Sequence, residues 1–339
     1  MLKRSKFDPT LTFAIGFLIA ISLVILKSVY PSIFPGYFFL TFLGIALFII
    51  FSYIDFDIIS LFSRHFYTGS IILLVLTLII GGVTRGVVRW ISLGNLTLQA
   101  AEIIKPFLLI YFANNRRFYL MLLPIFLILI QPSLGVAILL SAGFAGIILA
   151  SGLNKKSLLV LGLVAIILVP CAFFLLAPYQ KTRIVSFFRP YSDPKGAGYN
   201  SLQSQIAVGD GGLLGRGLGK GIQTQLSFLP EKQADFIFAT ISEELGFVGS
   251  ALTIIALFII FWRITAFMGS AVNPQARAYL AGVFTMLLSQ TIIHIGMNMG
   301  LLPITGIPLP LISAGGSSFV STMIALGICL SSRRRVSSA

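Results

Sequence analysis

Apolar residues run along this chain in long, nearly uninterrupted stretches, parted by short polar breaks. A stretch of about 20 such residues crosses roughly 30 Å of hydrocarbon as a helix. The pattern predicts ten spans, at 11–29, 34–54, 66–83, 98–113, 118–132, 134–152, 157–177, 238–262, 276–300 and 312–331. The fourth carries Glu102 and Lys105, and only Gln131-Pro132-Ser133 parts the fifth from the sixth. The expected fold is therefore all-α: a polytopic integral membrane protein of about ten transmembrane helices. It forms a single transmembrane domain, residues 1–339, with one large loop from about 179 to 237.

Composition removes the soluble alternatives. Of 339 residues 57% are hydrophobic and 10% charged, where globular domains carry roughly a quarter charged. Two cysteines, Cys171 and Cys329, both in apolar runs, offer no disulfide framework, and two histidines, His65 and His294, cannot build a metal centre. The net charge of +14 would suggest nucleic acid in a soluble protein. Here its distribution points to topology instead. With the N-terminus in the cytoplasm, inner segments hold 13 basic residues, short outer segments 3 and the long outer loop 7. Such an excess over short loops is the positive-inside signal. It makes both termini cytoplasmic and the long loop extracytoplasmic, with the first span an uncleaved anchor.

Most of the polar chemistry then lies outside. Within the loop, Asn200-Ser-Leu-Gln203-Ser-Gln205 precedes a glycine-rich run from Gly209 to Gly221 bearing Arg216 and Lys220. That run fits neither a Walker A nor a G-x-G-x-x-G pattern. It is either a plain loop or a backbone that brings N–H groups and cations to a diphosphate. Asp235, after Phe228-Leu-Pro-Glu231, stands where the loop re-enters an apolar span. A carboxylate there is either the cap of the following helix or a general base. Glu102 and Lys105, three apart on one helix face, are an intramembrane pair, structural or functional. Arg89-Trp90 is placed in an outer loop, where Trp also serves as an interface anchor. Glu243-Glu244 opens the eighth span, and His294 reads as a helix–helix hydrogen bond. The last outer loop, from Asn298 through Pro303, Pro308, Pro310, Ser313 and Gly316, carries no charge and forms a stiff apolar wall.

These segments, in this order, resemble the SEDS family (shape, elongation, division and sporulation proteins), bacterial peptidoglycan glycosyltransferases. The resemblance runs over nearly the whole chain. It is carried by Gly86-x-x-Arg-Trp90, Gln99…Glu102…Lys105, Asn200-Ser-Leu-Gln-Ser-Gln-Ile-Ala, Phe228-Leu-Pro-Glu…Asp235-Phe-Ile-Phe-Ala…Glu243-Glu-Leu-Gly and Asn298-Met-Gly-Leu-Leu-Pro…Gly315-Gly-Ser-Ser. Two segments depart from the family pattern: Gln99-Ala-Ala-Glu102 replaces Gln-Pro-Ser-Glu, and Ser133 stands where an Asp is usual. The resemblance implies a lipid II polymerase at the outer face of the bacterial cytoplasmic membrane, serving cell elongation and shape, with division as the other branch. It implies Asp235 as the catalytic base. Arg89, Trp90, Glu102, Lys105, Gln203, Gln205, Arg216, Lys220, Glu231, Ser313 and Gly316 become substrate-binding candidates. The expected partners are lipid II, the growing glycan-lipid, membrane lipids and a class B penicillin-binding protein acting as transpeptidase, with no nucleic acid. No cofactor is required, although a divalent cation, magnesium or manganese, would suit a leaving diphosphate. The rival readings are a lipid II flippase or transporter, and a non-catalytic scaffold. The one-sided clustering of polar groups favours the enzyme over the transporter, whose site would lie at the midplane.

Overall fold

The computed structural model describes residues 7–84, 87–93, 96–115, 117–152, 162, 178–188 and 197–333. The seventh expected span, 157–177, lies outside the described residues, as does Cys171; Cys329 is a buried free thiol. Among the described residues five helices are long and apolar enough to cross a membrane: α1 (Pro9–Val29), α2 (Phe34–Tyr53), α4 (Ser63–Ile80), α12 (Ile237–Ser270) and α13 (Pro274–Asn298). Shorter apolar helices are α7 (Leu122–Ile130, led by a 3₁₀ turn at Phe118–Met121), α8 (Leu134–Ala150) and α14 (Gly316–Ser331). A short α3 (Phe56–Leu61) precedes α4. The protein is a multi-pass membrane protein built of helices, as its apolar runs require.

Four expectations change in detail. The fourth span is broken into α5 (Ala100–Ile103) and α6 (Lys105–Asn114), because Pro106 lacks the N–H that would continue the helix and instead starts a new one. The stretch before it is no loop. Three antiparallel strands, β1 (Gly82–Thr84), β2 (Val87–Leu93) and β3 (Leu96–Leu98), form a small sheet that places Arg89 and Trp90 on its central strand. The long loop from about 179 to 237 contains helices, α9 (Pro178–Phe188), α10 (Ala197–Asp210) and α11 (Ile222–Gln225). The last helix starts at Gly316 instead of the expected 312.

Helices in lipid gain nothing from burying apolar surface against one another, so close packing and shared hydrogen bonds must hold them. The α8–α13 contact shows this. Thr285 Oγ1 donates to Ala142 O at 2.9 Å across the interface, and a Cβ at Gly282 would press within 3.1 Å of Gly143 O.

The two ends of the bundle are stitched by different residues. At one end Asp8 caps α1, accepting from Leu11 N at 3.0 Å, and receives Arg263 of α12 (Nε, 3.1 Å) and Arg333 beyond α14 (3.5 Å). Asn273 donates to Asp57 at 2.8 Å and Asn114 to Ser60 O at 3.0 Å. At the other end Ser28, closing α1, donates to Glu244 at 2.9 Å. The start of α1 and the end of α14 thus share one face, which requires an even number of crossings.

Burial alone would raise the Asp8 carboxyl. The Arg263 hydrogen bonds, the Leu11 N–H and the charges of Arg263 and Arg333 outweigh it and bring the carboxyl below its usual range. Because the folded pKa is depressed, this stabilisation is complete above the unfolded value of about 3.9 and is lost as pH falls through the folded pKa. Asn caps as well as Asp, so Asp8→Asn tests the ion pairs alone. It should lower thermal stability in detergent at pH 7 by about 1–3 kcal/mol. The difference from wild type should shrink as pH falls below about 4. A variant as stable as wild type at neutral pH would show that the cluster holds nothing.

Candidate functional site

The end of the bundle away from Asp8 is organised by a break in α12. Gly246 has φ 67° and ψ −162°, outside the helical region, which only glycine adopts at little cost. The glycine-rich run threads this break. Arg216 N and Gly217 N donate to Glu243 O (2.9 Å) and Glu244 O (3.0 Å), while Phe247 N and Val248 N donate to Gly212 O (2.9 Å) and Leu213 O (3.1 Å). A Cβ at Gly215 (φ 82°) would strike the Glu244 carbonyl. The side chains of Glu243 and Glu244, at 0% and 1% exposure, complete the lock. Glu243 accepts from Gln223 N (2.7 Å) and Thr224 N (3.0 Å). Glu244 accepts from Gly219 N (3.1 Å), Gln225 Nε2 (3.0 Å) and Ser28.

The run does offer backbone donors to an anion, as the sequence suggested, but these anions are the protein's own carboxylates. Arg216 is exposed and salt-bridged to Asp210, whose hydrogen bond raises the guanidinium pKa further. Lys220 is also exposed. Both residues belong to a structural loop, and the contacts that gather at Asp235 come from other elements.

Asp235 is half-buried on a turn whose backbone is held from three sides. Its N–H donates to Glu231 O at 3.1 Å, with Glu231 at φ 52°. Its carbonyl accepts from Asn298 Nδ2 at 3.0 Å, Ala234 O accepts from Ser313 Oγ at 2.9 Å, and Gln233 O accepts from Ala314 N at 2.9 Å. The first turn of α12 is capped remotely: Asn298 Oδ1 accepts from Ala239 N at 3.0 Å, and the N-cap position is Phe236. The capping role open to Asp235 in the sequence thus falls to Asn298, buried at the end of α13. Ser313, which also accepts from Leu309 N at 2.7 Å, fixes the apolar wall to this turn, so its hydroxyl is engaged within the protein. Gly316 lets Leu40 of α2 pack against α14. Its role in the structure is helix contact.

Two groups converge beside Gly306 (φ 70°) in that wall. A Cβ there would lie 3.3 Å from Arg183 Nη1 and 3.6 Å from Asp235 Oδ2. Arg183 comes from α9, and sequence reasoning missed it as one basic residue among seven in the loop. Nothing local in its surroundings marks it. His294 Nδ1 to Ile307 O (2.7 Å) secures the same stretch of wall to α13, a helix-to-loop bond where a helix–helix one was expected. Gln203 and Gln205 lie on α10, where Gln205 donates to Ser201 (3.3 Å) and backs onto Gly300, and the neighbouring Ser204 donates to Asn298 O at 2.9 Å. Among the described residues no group of three or more His, Cys, Asp or Glu is placed to hold a metal ion.

The remaining candidates form two separate units. On β2 the Arg89 guanidinium stands 5.7 Å from the Trp90 ring centroid, and its buried Nε has no hydrogen-bond partner. At the α5–α6 break Lys105 Nζ lies 2.7 Å from Glu102 Oε2, both nearly inaccessible (1% and 3%). Around them Gln99 N donates to Ser317 Oγ (2.9 Å), and Gln99 Nε2 approaches Ser133 Oγ at 3.4 Å. Ser133, in the position where the family has Asp, is thus a neutral link between α8 and the break. Removing one partner of a buried pair strands the other charge at a cost of about 3–5 kcal/mol. Glu102→Gln and Lys105→Met should each destabilise by that order, and the double variant should be more stable than either. Additive losses in thermal unfolding would show that the two charges do not depend on one another.

The chain matches the FtsW/RodA/SpoVE family model, described as a cell cycle protein, over residues 7–337. It is 34% identical over 304 residues to the peptidoglycan glycosyltransferase MrdB of Escherichia coli K12, covering 85% of this chain and 82% of that protein. It is 37% identical over 281 residues to the probable peptidoglycan glycosyltransferase FtsW of Buchnera aphidicola, covering 77% and 79%. Among solved structures it superposes, with a TM-score of 0.82, 28% identity and 97% coverage of both chains, on part of a peptidoglycan synthase complex that coordinates polymerization and crosslinking. The rod shape determining protein RodA of Thermus thermophilus matches with a TM-score of 0.71, 26% identity and 96% coverage of both chains. The chain belongs to the FtsW, RodA and SpoVE family of cell cycle proteins, the family its motifs resemble.

Proposed function

We propose that this protein is a peptidoglycan glycosyltransferase that polymerises lipid II at the outer face of the bacterial cytoplasmic membrane, in cell elongation and shape. The end carrying Asp8, Arg263 and Arg333 faces the cytoplasm, in keeping with the charge distribution. The end carrying Asp235 faces out. One juxtaposition supports this most: the Asp235 carboxylate and the Arg183 guanidinium meet at Gly306, beside a stiff uncharged wall at the mouth of the helix bundle. A lipid-linked diphosphate sugar needs these three things together, namely a base, a cation and an apolar flank for its tail.

In this mechanism the 4-hydroxyl oxygen of the acceptor N-acetylglucosamine attacks the donor's anomeric carbon. Its proton passes to Asp235, and the bond from that carbon to the diphosphate breaks. The bonding pair leaves on the diphosphate. Arg183 meets that growing charge, since a guanidinium fork matches phosphate oxygens and stabilises charge most where water is excluded. The turn holding Asp235 is fixed by Asn298, Ser313 and Ala314, so the base is held in place before substrate arrives. A class B penicillin-binding protein is the partner proposed to cross-link the product. Co-purification from native membrane would recover it.

Asp235→Asn should lower polymerisation of labelled lipid II by about 10²–10⁴-fold and leave the protein folded, because Asn298 makes the cap. Arg183→Gln should cost about 10²–10³-fold in turnover, with Arg183→Lys in between, since a point charge keeps attraction without the fork. An Asp235→Asn protein within a few-fold of wild type would remove Asp235 as the base.

A further inference from the structure

At the opposite end of the bundle, the face of Asp8 and Arg263, lies a second polar recess far in sequence from the Asp235 turn. It measures about 410 Å³ and is lined by Arg64, Tyr67 and Thr68 of α4, Tyr111 of α6, and Asn115 and Arg117 just after α6. No acid is among the lining residues, and among the described residues neither Arg64 nor Arg117 has a carboxylate partner. Two cations round one small recess repel each other unless an anion joins them. The floor is rigid: Tyr67 and Tyr111 stack with ring centroids 4.3 Å apart, Tyr67 donates to Leu120 O at 3.2 Å, and Asn115 Nδ2 donates to Tyr111 O at 3.1 Å.

The flanks are apolar. Leu61 and Phe62 just before Arg64, and Tyr119 and Leu122 just after Arg117, are all exposed. In a membrane these side chains lie against acyl chains, so the anion within reach of the arginines is the headgroup of a lipid already at that flank. An amphiphile with an acidic head and acyl chains uses both. We propose that this recess binds the phosphate headgroup of an anionic phospholipid in the leaflet at that face, with Arg64 and Arg117 gripping the phosphate and the acyl chains lying on the flanking apolar side chains. Guanidinium groups suit this because they pair with phosphate oxygens through two parallel hydrogen bonds. Basic pockets between transmembrane helices at the cytoplasmic interface bind acidic headgroups in the same way.

The test is native mass spectrometry and thermal unfolding of the full chain in detergent micelles, titrated with phosphatidylglycerol, phosphatidylethanolamine or glycerol phosphate. Phosphatidylglycerol should bind and stabilise the wild type, with affinity about tenfold or more weaker in the Arg64→Gln, Arg117→Gln double variant. Arg64→Lys with Arg117→Lys should fall between. Both arginines are exposed, so the variants should unfold like wild type without added lipid, and lipid II polymerisation in micelles free of phosphatidylglycerol should be unchanged. Equal phosphatidylglycerol binding by the glutamine variant would overturn the proposal, as would equal binding of phosphatidylethanolamine by the wild type. Glycerol phosphate binding as tightly as the lipid would also overturn it, by making the occupant a soluble anion.

Discussion

Two buried carboxylates, Glu243 and Glu244, hold the Asp235 end of this protein together. Each would be costly alone at the edge of hydrocarbon. Both are satisfied by donors from the glycine-rich run and the start of α11, and Glu244 also by Ser28 at the end of α1. Through them the chain between α10 and α12 is tied to the break at Gly246 and to the first helix. The turn bearing Asp235 emerges between those ties, so its position is inherited from a network that touches no reacting atom. This explains why a segment so rich in glycine can be an ordered part of the site. Its backbone freedom serves close approach, and its N–H groups have their anions within the fold.

The spans were readable in the sequence because the hydrocarbon thickness demands about 20 apolar residues whatever their neighbours. α1, α2, α4 and α13 follow those runs within a few residues, while α12 runs on past 262 to Ser270. The breaks were harder to see. Pro106 after Lys105 carried a signal, since proline ends one helix and starts another. Gly246 carried none, because a single glycine in an apolar helix is ordinary. The sheet around Arg89 was hidden for another reason. Its strands are short, and Val87-Val88-Arg89-Trp90-Ile91 reads as well as an interfacial loop as it does as a strand. The helices of the outer loop escaped because a loop defined by hydropathy is only a stretch too polar to span.

The candidate site divides the same way. Asp235 was visible as a carboxylate at the re-entry of an apolar run, and Glu102–Lys105 as opposite charges one turn apart, which the structure closes into a 2.7 Å pair. Arg183 was not visible. Its importance lies in a meeting with Gly306, on a segment distant in sequence, and only the packing of α9 against the wall creates it. Conversely Arg216 and Lys220 looked apt as cations in a glycine run, yet the fold turns that run onto α12. Composition identifies which residues could meet a phosphate, while long-range packing decides which of them stand beside Asp235.

The same distinction bears on how a carboxylate becomes available for chemistry at a helix start. An aspartate just ahead of a helix normally satisfies an orphan N–H, and that role would lock its oxygens to the backbone. Here Asn298 takes it over from across the interface with α13, accepting from Ala239 N while donating to the carbonyls of Asp235 and His294. A neutral amide is the side chain that can do this, because it offers an acceptor and two donors from one rigid plane. A carboxylate there would lose both donations, and an apolar residue would leave the helix start uncapped. By moving the cap to α13, the fold fixes the backbone of Asp235 without using its side chain for the purpose. The carboxylate can then be oriented by what stands at Gly306, the Arg183 guanidinium.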